Sequence, residues 1–171
     1  TTALSVEQIA EQVLALAPDW QAARFNLALA LLNMQEDAGA EKNLKRAKDA
    51  FESILAEDPD NLHSRFCLGL YYQHTGDNNQ AMKCFEAVHR ADPKDPHVAY
   101  KYAETLISLD RKEPAITILE QILELDPGFV SAVYRLATLY QRSGRRDKAK
   151  IDGRNEARVE FEDLFEDRDR R

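Results

Sequence analysis

The sequence predicts an all-α chain built as a solenoid of antiparallel helix hairpins, and three observations carry that prediction. Asp58-Pro59, Asp92-Pro93 and Asp126-Pro127 are spaced 34 and 34 residues apart, and self-similarity at a fixed period of this size marks a stacked repeat. Between the prolines, apolar and small residues recur at the same places with helical spacing. No alternating run long enough for a sheet strand occurs in the 171 residues.

The repeats are numbered here from the third residue after each proline. Position 8 is then always small, as Ala28, Gly69, Ala103 and Ala137. Position 7 is Leu27, Leu68, Tyr102 and Leu136, and position 11 is Leu31, Tyr72, Leu106 and Tyr140. Counting back from the next proline, position 20 is Ala47, Ala81 and Ala115, position 24 is Phe51, Phe85 and Leu119, and position 27 is Ile54, Val88 and Ile122. Positions 7, 8 and 11 make one stripe of a first helix, and 20, 24 and 27 make one stripe of a second. Small residues at 8 and 20 let the two backbones approach. Proline at position 32 cannot continue the second helix and ends it. Gly76 and Gly144 fall in the turn between helices, where a left-handed residue is needed.

The elements follow in order. Residues 5–17 read as a lone helix, with Ser5 and Gln8 as a capping box and Val6, Ile9, Val13 and Leu16 as its stripe. It fits the second helix of a preceding repeat, Pro18 taking position 32. Repeat one, residues 21–59, carries seven extra residues around 36–43, because Pro18 lies 41 residues before Pro59. Seven residues are almost two helical turns, so the second helix starts earlier and keeps its face, with Leu44 joining Ala47 and Phe51. Repeats two and three span residues 62–93 and 96–127. Repeat four, residues 130–169, has two registers. Without an insertion Gly153 and Glu156 fall at core positions; with eight extra residues Ala157, Phe161 and Leu164 do, and the second register is preferred. Residues 145–155 are then a polar loop or a frayed extension. A stack that opens on half a repeat reads as a cap or as a piece of a longer protein. The charged residues 160–171 suit the polar outer face of a terminal repeat.

These residues resemble the tetratricopeptide repeat family over roughly residues 18–169. Repeat two is nearest its pattern, with Leu68-Gly69, Tyr72, Gly76, Ala81, Phe85 and Pro93. The family's usual Trp at position 4 is replaced by Arg24, Arg65, Ala99 and Val133, and the only tryptophan, Trp20, lies just before repeat one. The resemblance implies a single domain over residues 1–171, a right-handed superhelical solenoid of about nine helices. It also implies a bacterial protein of the kind attached to larger extracellular or periplasmic propeller proteins.

Composition narrows the function. The net charge is −7 and the pI about 5.2, the wrong sign for a general nucleic-acid binder or an anionic membrane surface. The local basic run of Arg142, Arg145, Arg146, Lys148, Lys150 and Arg154 is answered by Glu160, Glu162, Asp163, Glu166 and Asp167, a self-balancing surface. Cys67 and Cys84 are too few for a disulfide framework. No stretch reaches a membrane span, and the first residues lack a signal-peptide pattern. A cytoplasmic location is the default expectation, and a periplasmic one follows if a signal sequence has been removed. The strings GxGxxG, GxxxxGK[ST], HExxH and GxSxG are all missing, so no catalysis and no cofactor are expected. His63, Cys67 and His97 share register positions that offer a three-ligand metal set, but with no fourth ligand a polar groove is the preferred reading.

In the resembled family the first helix of each hairpin lines the concave surface, which places a ligand against positions 2, 5, 6, 9 and 12. The resemblance thus implies a peptide groove of Phe25, Asn26, His63, Phe66, Cys67, Leu70, His97, Tyr100, Lys101, Glu104, Tyr134, Arg135 and Thr138. Position 5 is aromatic throughout, and Lys101 with Arg135 suits a carboxylate. The family's chaperone-tail clamp is not expected, because Phe25, Leu29 and Cys67 stand where it needs Lys, Asn and Asn. The expected function is a non-catalytic adaptor for a protein or peptide. Its rivals are a structural, self-assembling or regulatory module of a larger protein, with a homo-oligomer forming through terminal helices such as the Phe161, Leu164 and Phe165 stripe.

Overall fold

The Asp-Pro punctuation works as the sequence spacing requires. In the computed structural model, which describes residues 6–17, 19–33 and 40–142, each Asp-Pro opens a turn between hairpins. The N–H groups of Asn61, Asp95 and Phe129 donate to the carbonyls of Asp58, Asp92 and Asp126 at 3.2, 3.5 and 3.2 Å. Proline sits second in each turn, where its fixed φ is favoured. Asp92 and Asp126 also accept from the N–H groups of Lys94 and Gly128 at 3.2 and 3.0 Å. The next helix is then capped. Asn61 Oδ1 accepts from Ser64 N at 2.9 Å, and Asp95 Oδ1 accepts from His97 N and Val98 N at 2.9 and 3.2 Å.

Eight helices and no strand form among the described residues: α1 (Val6–Leu16), α2 (Gln21–Asn33), α3 (Ala40–Glu57), α4 (Leu62–Thr75), α5 (Asn78–Ala91), α6 (Pro96–Ser108), α7 (Lys112–Leu125) and α8 (Val130–Arg142). The expected ninth helix, with Ala157, Phe161 and Leu164, lies outside the described residues. So do Ser5, Gly144, residues 145–155 and the Phe165 stripe. The chain divides into two compact units, Thr1–Ala91 with α1–α5 and Asp92–Arg171 with α6–α8.

Unit 1 packs helices in sequence order, each against the next. Its core holds Ala28, Leu31, Leu32, Ala47, Phe51, Cys67 and Leu68, with Leu44 packed against it. The α3 helix runs 18 residues against 14 in α5, so the insertion lengthens the helix at its start and Leu44 stays on the core face. Gly69 leaves no room for a side chain between α4 and α5. A Cβ there would lie 2.8 Å from Phe85 Cε1 and 3.1 Å from Cys84 Cβ. Where the family carries Trp, Arg24 instead reaches α3: Nη1 donates to Glu57 Oε1 at 2.6 Å and Nη2 to Oε2. This bidentate pair is largely solvent-facing on the Glu57 side, which limits its worth.

In unit 2, α6 packs on α7 and α7 on α8. Ala99, Ala103, Leu106, Ala115, Leu119, Ile122, Leu136, Ala137 and Tyr140 are buried. The turn between α6 and α7 places Asp110 at φ 58°, one period after Gly76 at φ 83°. Asp110 is the one non-glycine residue in the left-handed region among the described residues. One bond recurs in both units: the Tyr72 hydroxyl donates to Glu52 at 3.3 Å, and the Tyr140 hydroxyl donates to Glu120. Both link position 11 of one repeat to position 25 of the repeat before.

Candidate functional site

The thirteen groove residues separate into those that build the repeats and those that face outward. In unit 1, Phe25 turns inward and meets Phe51 edge-on at 5.8 Å, with the His63 ring 6.5 Å away. Phe66 meets Phe85 at 5.5 Å in the same manner. Both rings are half-buried and serve chiefly the hairpin core. Cys67, expected in the groove, is 6% exposed and joins the core cluster. Position 6 in this repeat points between helices because the side chain is small and apolar enough to fill that space. Burial pushes its thiol up to about 11, which leaves it an inert packing group. Leu70 is half-buried against the same cluster. Asn26 and His63 are exposed.

In unit 2, side-chain contacts join Tyr100, Lys101 and Glu104 of α6 to Arg135 of α8, and His97 and Tyr100 to Phe129. Glu104 meets both cations. Its Oε2 accepts from Lys101 Nζ at 3.1 Å, and its Oε1 accepts from Arg135 Nη2 at 2.8 Å. The carboxylate that Lys101 and Arg135 were expected to hold is therefore an internal one. Burial alone would raise the Glu104 carboxyl, but the Lys101 and Arg135 bonds outweigh it and hold the group below the usual carboxylate range. Arg135 is partly desolvated, yet its bonds to Glu104 and to the Tyr100 hydroxyl raise its affinity for the proton. Its Nε is buried and has no hydrogen-bond partner among the described residues.

An aromatic layer borders these charges. Phe129 sits 5.3 Å from the His97 ring and 5.6 Å from the Tyr100 ring. Tyr134 is 56% exposed on α8, and Val130, one turn earlier on the same face, is 76% exposed. Thr138 turns its hydroxyl back to the Tyr134 carbonyl at 2.9 Å, so it offers a methyl group rather than a donor. Phe129 was not among the expected groove residues. It precedes α8 at the place where Asn61 and Asp95 cap their helices, and an aromatic where a capping residue belongs was the signal for it.

No group of three or more His, Cys, Asp or Glu suited to a metal ion forms among the described residues. Nor does any described helix have the length and apolarity to cross a membrane. The face can contribute stacking surface, hydrogen bonds and a charge pair.

Comparison with known proteins agrees with the repeat. Residues 72–128 and residues 22–61 each match a family model described as tetratricopeptide repeat. The TPR repeat-containing protein YpiA of Bacillus subtilis is 30% identical over 113 residues, 66% of this chain and 25% of that protein. The peroxisomal targeting signal receptor of Saccharomyces cerevisiae is 34% identical over 73 residues, 43% of this chain and 12% of the receptor. The chain thus spans 25% or less of the length of these curated relatives. Among solved structures, MamA AMB-1 P212121 superposes with a TM-score of 0.71 at 21% identity, covering 91% of this chain and 85% of that one. A MamA RS-1 double mutant gives 0.73 at 17% identity, covering 84% and 76%. At these identities the likeness establishes the fold alone, a helical solenoid. With matching family models, relatives and fold, and with the 34-residue Asp-Pro period that first suggested it, the chain belongs to the tetratricopeptide repeat family.

Proposed function

We propose that this chain is a non-catalytic interaction module that holds a peptide or protein segment, with the α6–α8 face of unit 2 as the contact. The observation that carries the reading is the half-buried Tyr100–Phe129 ring pair, whose Tyr100 hydroxyl meets the Arg135 guanidinium, with an exposed aromatic, Tyr134, next to Arg135 along α8. Aromatic residues and Arg dominate the energy of protein interfaces. The relatives support the class: one is by name a receptor for a targeting signal, and the STIP1 homolog of Dictyostelium discoideum is 31% identical over 100 residues. A structural or self-assembling role would rest on Phe161, Leu164 and Phe165, which lie outside the described residues.

The test begins with a peptide selected by display on the whole chain. Its affinity is then measured by fluorescence anisotropy for the wild type, Tyr134→Ala and Tyr100→Ala. Each variant is expected to lose about tenfold or more, the ~1.4 kcal/mol that one anchoring side chain commonly supplies. Unchanged affinity in both would remove this face from the interaction.

A further inference from the structure

A bound acidic segment would need Lys101 and Arg135, and both are already engaged. Each oxygen of the Glu104 carboxylate takes one of them, at 3.1 and 2.8 Å. Glu104 and Lys101 stand three residues apart on α6, so the competitor is built beside its own cation. Glu104 is the most covered of the three side chains at 19% exposure, against 36% for Lys101 and 37% for Arg135. The cations therefore present their flanks to solvent while their charge is spent inward.

We propose that Glu104 is a tethered competitor that sets the specificity of this face: it fills the cation pair in the unbound chain, excludes acidic segments, and leaves the surface to uncharged segments rich in aromatic or aliphatic side chains. The proposal rests on the peptide-holding reading above. An incoming carboxylate would meet the Glu104 charge within a few ångströms in a half-buried setting, where like charges repel more strongly than in bulk water. To displace Glu104 it would have to outcompete a group whose tether keeps it permanently local, a large effective concentration. One net positive charge remains on the cluster, but it is shared by two heads that are each hydrogen-bonded. The exposed large side chains of α8, the helix that carries Arg135, are Val130 and Tyr134, so what this helix leaves open is apolar. Specificity of this kind comes from penalising the wrong ligand as much as from attracting the right one.

The experiment uses the full chain and two labelled, end-blocked peptides of equal length, one of alternating Glu and Gly, the other uncharged and carrying Trp and Leu. Glu104→Gln keeps the size of the side chain and removes its charge. It is expected to bind the acidic probe at least tenfold more tightly than the wild type. Added salt should erase the gain, and so should Arg135→Ala in the same chain. The uncharged probe should change far less between wild type and Glu104→Gln than the acidic probe does. Equal affinity of wild type and Glu104→Gln for the acidic probe, with helical circular dichroism intact, would overturn the proposal. So would a wild type that prefers the acidic probe to the uncharged one. Glu104→Ala serves as the second variant if Glu104→Gln does not fold. Loss of the peptide-holding reading is told apart by Tyr134→Ala: if it leaves the uncharged probe's binding unchanged, that reading fails while the acidic-probe comparison still stands.

Discussion

Replacing Gly69 by Ala directs a methyl group from α4 into α5. The new Cβ would lie 2.8 and 3.0 Å from Phe85 Cε1 and Cζ and 3.1 Å from Cys84 Cβ. Carbon atoms settle at about 3.5–4.0 Å, so the ring has to move by several tenths of an ångström or more. It has little freedom to do so, because Phe85 is fully buried and already seated edge-on against Phe66. Overpacking of this size costs about 1–3 kcal/mol. The gain in helix propensity from Gly to Ala returns about 1 kcal/mol. The net expectation is a destabilisation of about 1 kcal/mol, read as a lower urea midpoint at unchanged slope. Repeat three indicates the remedy, because there Ala103 takes the place of Gly69 and Leu119, which has no ring, takes the place of Phe85. Phe85→Leu removes the two ring atoms that the new methyl group would meet and should offset part of the Gly69→Ala cost, a favourable coupling of about 0.5–1 kcal/mol in a double-mutant cycle. A Gly69→Ala protein as stable as the wild type, or two changes that simply add, would refute this account of the close approach.

Other changes test separate features. Asp110→Gly relieves a left-handed residue, which costs about 1–2 kcal/mol for a side chain with a Cβ; after the loss of an exposed pairing with Lys112 and the greater freedom of unfolded glycine, a gain of about 0.5 kcal/mol is expected in the urea midpoint. Tyr140→Phe removes a bond to the Glu120 carboxylate from a buried ring and should cost about 1–2 kcal/mol. The matching Tyr72→Phe, at 3.3 Å in an exposed pair, should cost less than Tyr140→Phe; the reverse order would contradict the geometry. The lowered Glu104 carboxyl contributes stability that is fully present above the ordinary carboxylate range and is lost as pH falls through its depressed folded value. Acid titration of Glu104→Gln should show a shallower loss on that limb than the wild type.

The hairpins were legible because their evidence is periodic. Ala47, Ala81 and Ala115 are fully buried, as are Phe51, Phe85 and Leu119, just where spacing from the prolines placed them. A helix exposes one face to its neighbour, so register alone decides burial there. The outward face obeys weaker rules. Register placed Phe25, Phe66 and Tyr134 alike at position 5, yet the first two rings turn into their hairpins and the third stays out. That choice depends on the partner ring in the second helix, Phe51 or Phe85, which the described part of repeat four does not supply. Charge signs suggested Lys101 and Arg135 as a pair, but that Glu104 lies between them depends on how α6 and α8 are juxtaposed across α7. Phe129 is not marked by the helical repeat, because it sits one residue before α8. Likewise Asp110 hid its left-handed backbone, since only a comparison with Gly76 one period earlier reveals it.

Whether a segment is in fact held on the α6–α8 face is tested most directly by amide chemical-shift mapping with a display-selected peptide titrated to saturation. The account predicts changes concentrated around Tyr100, Glu104, Phe129, Tyr134 and Arg135. Changes concentrated on α7, or no localised change at saturation, would contradict it.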